Sequence, residues 1–474
     1  MKKYIKYQLV LCIMLLMMQS CKKGYFDLNQ NPNLVSNPSL PSLLSTATHK
    51  TGINSYNVAY VISPYVQYTA NPSAGSASDT YQERDLSGTW DALYYAMADI
   101  SDMKKLAMER NASEYLGVAN VLLSYHVSLV SDLWGDAPFS EAFNTKTFTP
   151  KFDSQQELYN TSIVLLDSAI AQLGRTGTLV PLSTTNDLIH KGSRALWLKT
   201  AHALKARALL KVSKTPAYNP AAVLTAVSNS FVSNAEDAGM ASFAIRNPWA
   251  AIARANALNT LDGWLSENFI NHLNGTTYGI FDPRIRKITD PATVTTHGMW
   301  VGTVNGAGNR APGGNTTKDE NYIAISSPWT SDVAPLLIVT FAEVKFIEAE
   351  AALAANDRPR AYTAYLAGIN ANMDKLQVPA GAERTAYITA ASVGAANLTR
   401  DLILKEKYIA TYLNPEAWND ARRYDYRYKD FKMPVNAVLP TFIRRLTYPN
   451  NERSENGANV PAAVPMTERL WWDK

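Results

Sequence analysis

Hydrophobic positions recur at helical spacing through most of the chain, most clearly in residues 114–142. Apolar side chains lie three or four positions apart there, at Tyr115, Val118, Ala119, Leu122, Tyr125, Leu129 and Leu133. Most intervening positions are also apolar, which is typical of a helix buried inside a larger helical assembly. Asn111 and Glu114 have the spacing of a capping box, and Gly135 followed by Pro138 predicts where the helix ends.

The same period predicts further helices along the chain. Their expected ranges are 42–53, 89–109, 154–173, 192–212, 219–233, 262–273, 341–355, 360–376 and 398–413, with one more helix beginning at Pro415. Residues 192–212 contain five alanines, which favours close packing between helices as in stacked helix-turn-helix repeats. Residues 341–376 form two helices joined by a short turn, the unit of a tetratricopeptide-like repeat. We therefore expect an all-α body of tetratricopeptide-like units.

Two stretches lack the helical period and are expected to form a loop-rich, ligand-binding region packed on that body. Residues 56–86 carry tyrosines among small residues, and residues 240–332 include the glycine-rich segment 302–315, expected to be a flexible loop. A tyrosine or tryptophan ring offers a flat apolar face and a polar group, which suits sugars. The candidate ligand-binding residues are Tyr65, Tyr68, Tyr81, Trp300, Tyr322, Trp329 and Asn315, with Asn71, Asp79 and Asn309 as further hydrogen-bonding partners. Packing in the body is the alternative for these rings, and it is favoured for Tyr56 and Tyr60.

The first residues have the pattern of a secretory signal. Three lysines precede a ten-residue apolar run, and Ser20 and Cys21 follow it. The run is shorter than the roughly 20 apolar residues that span a membrane. Residues 18–21 resemble a lipobox, so we expect a signal peptide at 1–20 and lipid modification of Cys21, the only cysteine left after cleavage. Residues 21–41 would then be a lipidated tether, and residues 42–474 a single domain.

Charge and motifs exclude several function classes. Removing residues 1–20 lowers the formal net charge from +4 to +1, which gives no basic field for nucleic acid. No histidine pair has H-E-x-x-H spacing, one mature cysteine cannot build a cysteine-based zinc site, and neither a nucleophile elbow nor a P-loop is present. We therefore expect no metal site and no cofactor. A glycosidase needs only two carboxylates, and the sequence alone leaves that alternative open.

Several stretches resemble motifs of the SusD/RagB family of nutrient-binding lipoproteins. They are SDLWGDAPFSEA at 131–142, NQNPN at 29–33, FDPR at 281–284, FAEVKFIEAEAALAA at 341–355, the Arg422–Arg423 pair, RRLTYP at 444–449 and LWWD at 470–473. The paired arginines are expected to bind helix-end carbonyls or carboxylates. Glu343 and Glu350 share a helix face and are expected to pair with arginines rather than to act in catalysis.

The resemblance implies a function as well as a fold. Members of this family bind nutrients without cleaving them, so the resemblance implies that this protein is not an enzyme. The resemblance implies a lipid-anchored outer-membrane protein, facing the cell exterior, that captures oligosaccharide and delivers it to a SusC-like TonB-dependent transporter. A peptide receptor of the RagB type is the alternative within the family, and an outer-membrane helical-repeat scaffold without a small ligand is the alternative from another class.

Overall fold

Helices are the main regular structure of the chain. The computed structural model describes residues 38–144, 146–177, 180–256, 263–293, 296–310 and 319–474, and one compact unit spans Leu40–Lys474. Its helices are α1 (Leu40–Ile62), α2 (Ser87–Glu109), α3 (Ser113–Trp134), α4 (Gln155–Leu173), α5 (Arg194–Lys211), α6 (Pro220–Ser228), α7 (Pro248–Asn256), α8 (Glu267–Leu273), α9 (Ile285–Ile288), α10 (Phe341–Ala354), α11 (Arg358–Lys375), α12 (Ala382–Ala391), α13 (Arg400–Ala410), α14 (Glu416–Arg423) and α15 (Asn450–Glu455). The strands are β1 (Thr69–Ala70), β2 (Ala238–Met240), β3 (Trp264–Leu265) and β4 (Leu336–Val339), which pair antiparallel as β1–β3 and β2–β4.

Consecutive helices pack against one another along the chain. Each helix from α1 to α5 contacts the next one along the chain, and α10 packs on α5, α6, α11 and α13. Glycine allows close approach at two of these contacts. A Cβ atom on Gly117 of α3 would lie 2.5 Å from Leu173 Cγ of α4, and one on Gly368 of α11 would lie 2.8 Å from Phe346 Cζ of α10. The expected all-α body of tetratricopeptide-like helix pairs is confirmed.

Helix α3 is buried on nearly every side, as its apolar pattern predicts. All of its residues except Leu116 and Ser128 are buried. Within the described residues it is the one helix long and apolar enough to cross a membrane, but its burial is that of a core helix. It packs against α1, α2, α4 and α5.

The expected capping box at the start of α3 is wrong. Asn111 adopts a left-handed backbone with φ of 51° in the tight turn after α2, and the residue before the helix, Ala112, has no capping side chain. The Glu114 carboxylate accepts the backbone N–H of Leu182 at 2.9 Å and so fastens a neighbouring loop. At the other end, Gly135 has the expected positive φ, 93°.

Charged side chains of the predicted motifs are paired inside the body. Arg207 of α5 donates to both carboxylate oxygens of Glu343 at 2.7 Å, and Arg423 binds Glu350 at 2.7 and 2.9 Å. Arg422 donates to two main-chain carbonyl oxygens, each at 2.7 Å. The predicted binding of the paired arginines to carbonyls or carboxylates and the predicted pairing of Glu343 and Glu350 with arginines are confirmed. Such pairing is needed because a buried charge is stable only when it is paired or fully hydrogen-bonded.

The region of residues 240–332 has little regular structure, as expected, but the helix predicted for 262–273 is partly wrong. Trp264 and Leu265 form strand β3, which pairs with β1, and only residues 267–273 are helical. The Ser266 hydroxyl caps that helix by accepting the Asn268 backbone N–H at 3.3 Å. The observed helix is shorter than the one predicted from the apolar period, because Trp264 and Leu265 at its expected start are buried in the β1–β3 strand pair.

The FDPR stretch fastens this irregular region to the helices. Arg284 is fully buried and pairs with Asp282 at 2.6 Å and with Glu406 of α13 at 2.5 Å. The Tyr387 hydroxyl of α12 lies 3.1 Å from the same guanidinium group. The motif is therefore an anchoring point for the loop.

Residues 470–473 pack against the residues that follow α5. Trp472 is buried in a small apolar cluster with Leu470 and Val212, the residue that follows α5. The fully buried Asp473 carboxylate is bound by Arg444 at 2.8 Å and by Lys214 at 3.0 Å. The end of α5 is thus held by residues about 260 positions later.

Candidate functional site

A shallow hollow opens where α1 ends and the first irregular segment begins. Helix α1 runs to Ile62, and Pro64 in the following turn has no N–H with which to continue it. Pairing of β1 with β3 then places Gly263 at the same point. We call this space the Tyr60 hollow. Its volume is about 60 Å³, and it is lined by Tyr60, Pro64, Thr69, Ala70, Asn71, Ser78, Asp79, Arg84 and Gly263.

Tyr60 forms an aromatic platform on one side of the hollow. Its side chain is 40% exposed, although it lies on a core helix. The ring centroid is 6.0 Å from Tyr56 and 6.3 Å from the buried Trp249, and these two rings meet edge to face at 4.8 Å. The platform is therefore backed by packed aromatics, and its outer face can receive the C–H face of a ligand.

Arg84 supplies hydrogen-bond donors to the hollow. Its Nη2 atom donates to the Tyr65 hydroxyl at 2.7 Å, and the guanidinium carbon lies 5.6 Å from the Tyr65 ring centroid. The Nη1 atom donates to no described residue, and the buried Nε atom also has no partner among them. The side chain is thus held in place through Nη2, which leaves Nη1 as the donor that a ligand acceptor could reach.

Asp79 joins the loops that form the floor of the hollow. Its buried Oδ2 atom accepts the backbone N–H of Asn71 at 2.9 Å and that of Gly306 at 3.2 Å. Burial raises the pKa of this carboxyl to about 6, against the opposing effect of these hydrogen bonds. The carboxylate therefore ties residues 71–79 to the glycine-rich segment.

The glycine-rich segment, expected to be a flexible loop, is fastened where it is described, over residues 302–310. Gly306 accepts the Gly75 N–H at 2.9 Å, and the Asn309 N–H donates to the Pro72 carbonyl at 3.0 Å. Gly308 has φ of 78°, and a Cβ there would lie 2.5 Å from the Pro72 oxygen, so only glycine fits. The floor of the hollow is therefore preformed.

The lining of the hollow combines groups that a neutral hydroxylated ligand could contact. An aromatic face, the Arg84 donors, the Asn71 amide and the Ser78 hydroxyl surround one buried carboxylate. Glycoside hydrolysis normally uses two carboxylates facing the scissile bond, and Asp79 is the single carboxylate in this lining. Within the described residues no group of three His, Cys, Asp or Glu side chains is arranged to hold a metal ion.

Three of the tyrosines predicted to bind ligand are packed inside the body. Tyr65, Tyr68 and Tyr81 are each at most 2% exposed. Tyr68 lies between Phe269 and Tyr408, with ring centroids at 5.2 and 4.8 Å. Their rings offer no exposed face in this structure because helices and loops from distant parts of the sequence cover them. Tyr65 still contributes to the hollow, through its hydroxyl contact with Arg84.

The remaining predicted residues lie outside the hollow. Trp329 is 5% exposed and packs near Tyr412, which corrects the expectation of an open ring face. Trp300 is half-buried beside Phe281, and Tyr322 is half-buried and bridges to Trp264. Cys21 and Asn315 lie outside the described residues. The two predicted hydrogen-bonding residues Asn71 and Asp79 do come together at the hollow.

Sequence reasoning missed Tyr60 and Arg84. Tyr60 follows Tyr56 by four positions on a helix, a spacing that places both rings on one face and resembles ordinary core packing. The signal that sets it apart is its position two residues before the end of α1, where the helix meets the loops. Arg84 lies in a polar stretch with no motif around it.

The fold and the sequence match known proteins over most of the chain. The family model SusD-like_2, described as "Starch-binding associating with outer membrane", matches residues 32–449. Comparison with curated proteins gives no significant match.

Several solved structures have a similar fold, and three of them align with this protein over nearly the whole of both chains. A SusD/RagB family protein from Bacteroides thetaiotaomicron is 22% identical, covering 92% of this chain and 99% of its own, with a TM-score of 0.73. A SusD homolog from Bacteroides uniformis is 20% identical, covering 93% and 100%, with a TM-score of 0.75. A chitin-binding SusD homolog from Flavobacterium johnsoniae is 20% identical, covering 91% and 98%, with a TM-score of 0.71. At such identities the structures show a shared fold only, whereas the match to the family model shows family membership. The chain belongs to the SusD-like family of nutrient-binding proteins associated with the outer membrane.

Proposed function

We propose that this protein captures oligosaccharide at the Tyr60 hollow and delivers it to a SusC-like TonB-dependent transporter. The observation that carries the proposal is the partly exposed Tyr60 ring beside Arg84 and Asn71. A sugar ring presents C–H groups on one face and hydroxyls around its edge. A flat aromatic flanked by donors and acceptors matches both features.

The balance of charge favours a neutral ligand over an ionic one. Arg84 and Asp79 are the two charged residues of the lining and have opposite signs. The Oδ2 atom of Asp79 accepts two backbone N–H groups and its Oδ1 atom accepts the Ser78 hydroxyl at 3.4 Å, so the carboxylate acts on loop geometry more than on a ligand. An extended peptide, as in the RagB-type alternative, would also find donors here for its carbonyl oxygens. A screen that includes both ligand classes therefore separates the two.

The cellular setting of the proposal is a lipid anchor at Cys21 on the outer membrane, facing the exterior. The lipobox-like residues before Cys21 support the lipid anchor, and the family description supports the association with the outer membrane. The chitin-binding title of the Flavobacterium johnsoniae structure and the starch-binding description of the family both favour a carbohydrate. The transporter partner follows from the family resemblance.

Substitution of Tyr60 tests the capture site. We expect Tyr60→Ala to weaken binding of maltoheptaose or chitohexaose roughly five- to hundredfold, since loss of an aromatic stacking platform costs about 1–3 kcal/mol by analogy with base stacking. Isothermal titration calorimetry on the soluble protein from residue 22 onward measures the affinity. Because Tyr60 is partly exposed, the melting temperature should change little.

Tyr95→Ala is the matched control for this experiment. Tyr95 is a tyrosine on α2 that is 64% exposed and does not line the hollow. It should retain wild-type affinity. Equal affinity of wild type and Tyr60→Ala would contradict the hollow as the capture site, and binding of peptides with no binding of any glycan would favour the RagB-type alternative.

A further inference from the structure

A second and larger cleft lies between α8 and residues 430–435. Its volume is about 300 Å³, and no residue that lines it also lines the Tyr60 hollow. We call it the Asn271 cleft. A volume of this size is at the lower end of the range for small-ligand sites and suits one or two sugar units.

One wall of the Asn271 cleft is built from amide and hydroxyl side chains. Asn268 and Asn271 are three positions apart on α8 and both half-buried, and Thr277 lies beyond the helix end. The Asn268 amide donates to the Tyr408 hydroxyl at 3.3 Å, while its Oδ1 atom accepts from no described residue. Asn271 Oδ1 accepts from Asn274 at 3.4 Å, while its Nδ2 atom donates to no described residue. The wall thus offers a ligand both an acceptor and a donor.

The opposite wall is apolar and held in position. It consists of Met433, Pro434 and Val435, and Val435 is 45% exposed. The backbone of Lys432 accepts the Gln67 side-chain amide at 2.6 Å. The Val435 N–H donates to a backbone carbonyl of the glycine-rich segment at 2.9 Å. The cleft is therefore preformed, so that a ligand would not have to order it on binding.

The charges around the cleft leave no strong field for an ionic ligand. Glu267 is paired with Arg310, which removes it as a free carboxylate. Asp430 and Lys432 are exposed at the rim and have opposite signs. A neutral ligand that combines an apolar face with hydroxyl groups fits these walls better than an anion or a cation does.

We propose that the Asn271 cleft is a second carbohydrate-binding subsite of this protein. The inference rests on the proposed function, since it gives the protein a second binding site for the same class of ligand. A sugar unit in the cleft would place its C–H face on Met433, Pro434 and Val435 and its hydroxyl edge on Asn268 and Asn271. A chain with two such places binds short sugars at two independent positions.

Blocking the cleft tests the inference. Thr276 is exposed at the cleft rim, so Thr276→Trp fills the space without disturbing the core. Asn271→Leu keeps the side-chain volume similar and removes the amide. Calorimetry with chitobiose and maltose should give about two sites in the wild type and one in Thr276→Trp. For Asn271→Leu, we expect the affinity of one site to fall roughly five- to fiftyfold.

Thr363→Trp is the control because Thr363 is an exposed threonine on α11 that lines neither site. A single wild-type site that Tyr60→Ala abolishes and Thr276→Trp leaves unchanged would overturn the inference and leave the proposed function standing. A single site lost in Thr276→Trp and kept in Tyr60→Ala would support the cleft and overturn the hollow. Failure of the wild type to bind either disaccharide or the longer chitohexaose and maltoheptaose would overturn both.

Discussion

At the scale of single residues, Asp79 determines how the loops of the candidate site meet. Its carboxylate is buried and receives backbone N–H groups from two segments more than 200 residues apart in sequence. A buried carboxylate is costly unless its oxygens are hydrogen-bonded, so this one forces the two segments to keep their N–H groups aimed at one point. A side chain that need not touch a ligand thereby sets the shape of the hollow.

The raised pKa of Asp79 predicts a specific dependence of stability on pH. Because burial raises that pKa from 3.8 to about 6, the folded protein holds this proton more tightly than the unfolded chain does. The stability that the protonated form contributes is therefore lost as the pH rises from about 4 to about 6. Asp79→Asn removes this titration, and other groups cancel in the difference between the two proteins. The stability of wild type relative to Asp79→Asn should fall by at most about 3 kcal/mol between pH 4 and pH 7. Urea unfolding at several pH values measures it, and a constant difference would show that the carboxyl titrates normally.

From sequence alone, two polar residues that line the hollow could be proposed, but the aromatic residue at its edge could not. Asn71 and Asp79 could be proposed because their polar side chains lie in the tyrosine-rich loop segment. Tyr68 could not be separated from Tyr60 in this way, because burial of its ring depends on Phe269 and Tyr408, which are far away in sequence. Whether an aromatic is a platform or part of the core is thus a property of contacts between distant segments.

At the scale of elements, α3 shows which features a local pattern can specify. Its period, its apolar character and the stop at Gly135 all follow from short-range physics, and all are present in the structure. Its start does not, because the carboxylate of Glu114 is used by a loop from another part of the chain. Residues 264–265 were missed for the same reason: their strand partner is β1, nearly 200 positions earlier.

Truncation of a core side chain in α3 tests how tightly the element is packed. Leu122 is 1% exposed in the main core cluster. Leu122→Ala should lower the free energy of unfolding by about 2–5 kcal/mol, since the removed atoms leave a cavity that close-packed helices cannot fill. Val164→Ala, at a position on α4 that is 65% exposed, should change it by less than about 0.5 kcal/mol. Chemical denaturation measures both, and a loss below about 1 kcal/mol for Leu122→Ala would contradict close packing around α3.

At the scale of the whole molecule, the proposed lipid anchor is a single residue outside the described residues. If Cys21 carries the lipid, Cys21→Ala should move the protein from the membrane fraction to the soluble fraction on cell fractionation. Cys12→Ala is the matched control, since it changes the other cysteine within the apolar signal run and should leave the protein on the membrane. Equal recovery of Cys21→Ala and wild type in membranes would contradict the lipid anchor.

The contacts of residues 470–473 have a consequence for the order in which the fold is completed. Trp472 packs with Val212, and the Asp473 carboxylate binds Lys214 and Arg444, so residues just after α5 are held by residues about 260 positions later. A contact between segments so far apart in sequence closes a long loop, and the entropy lost in closing that loop is not offset until the contact has formed. We therefore expect the end of α5 to acquire its final packing later than the contacts between neighbouring helices, such as α3 with α4.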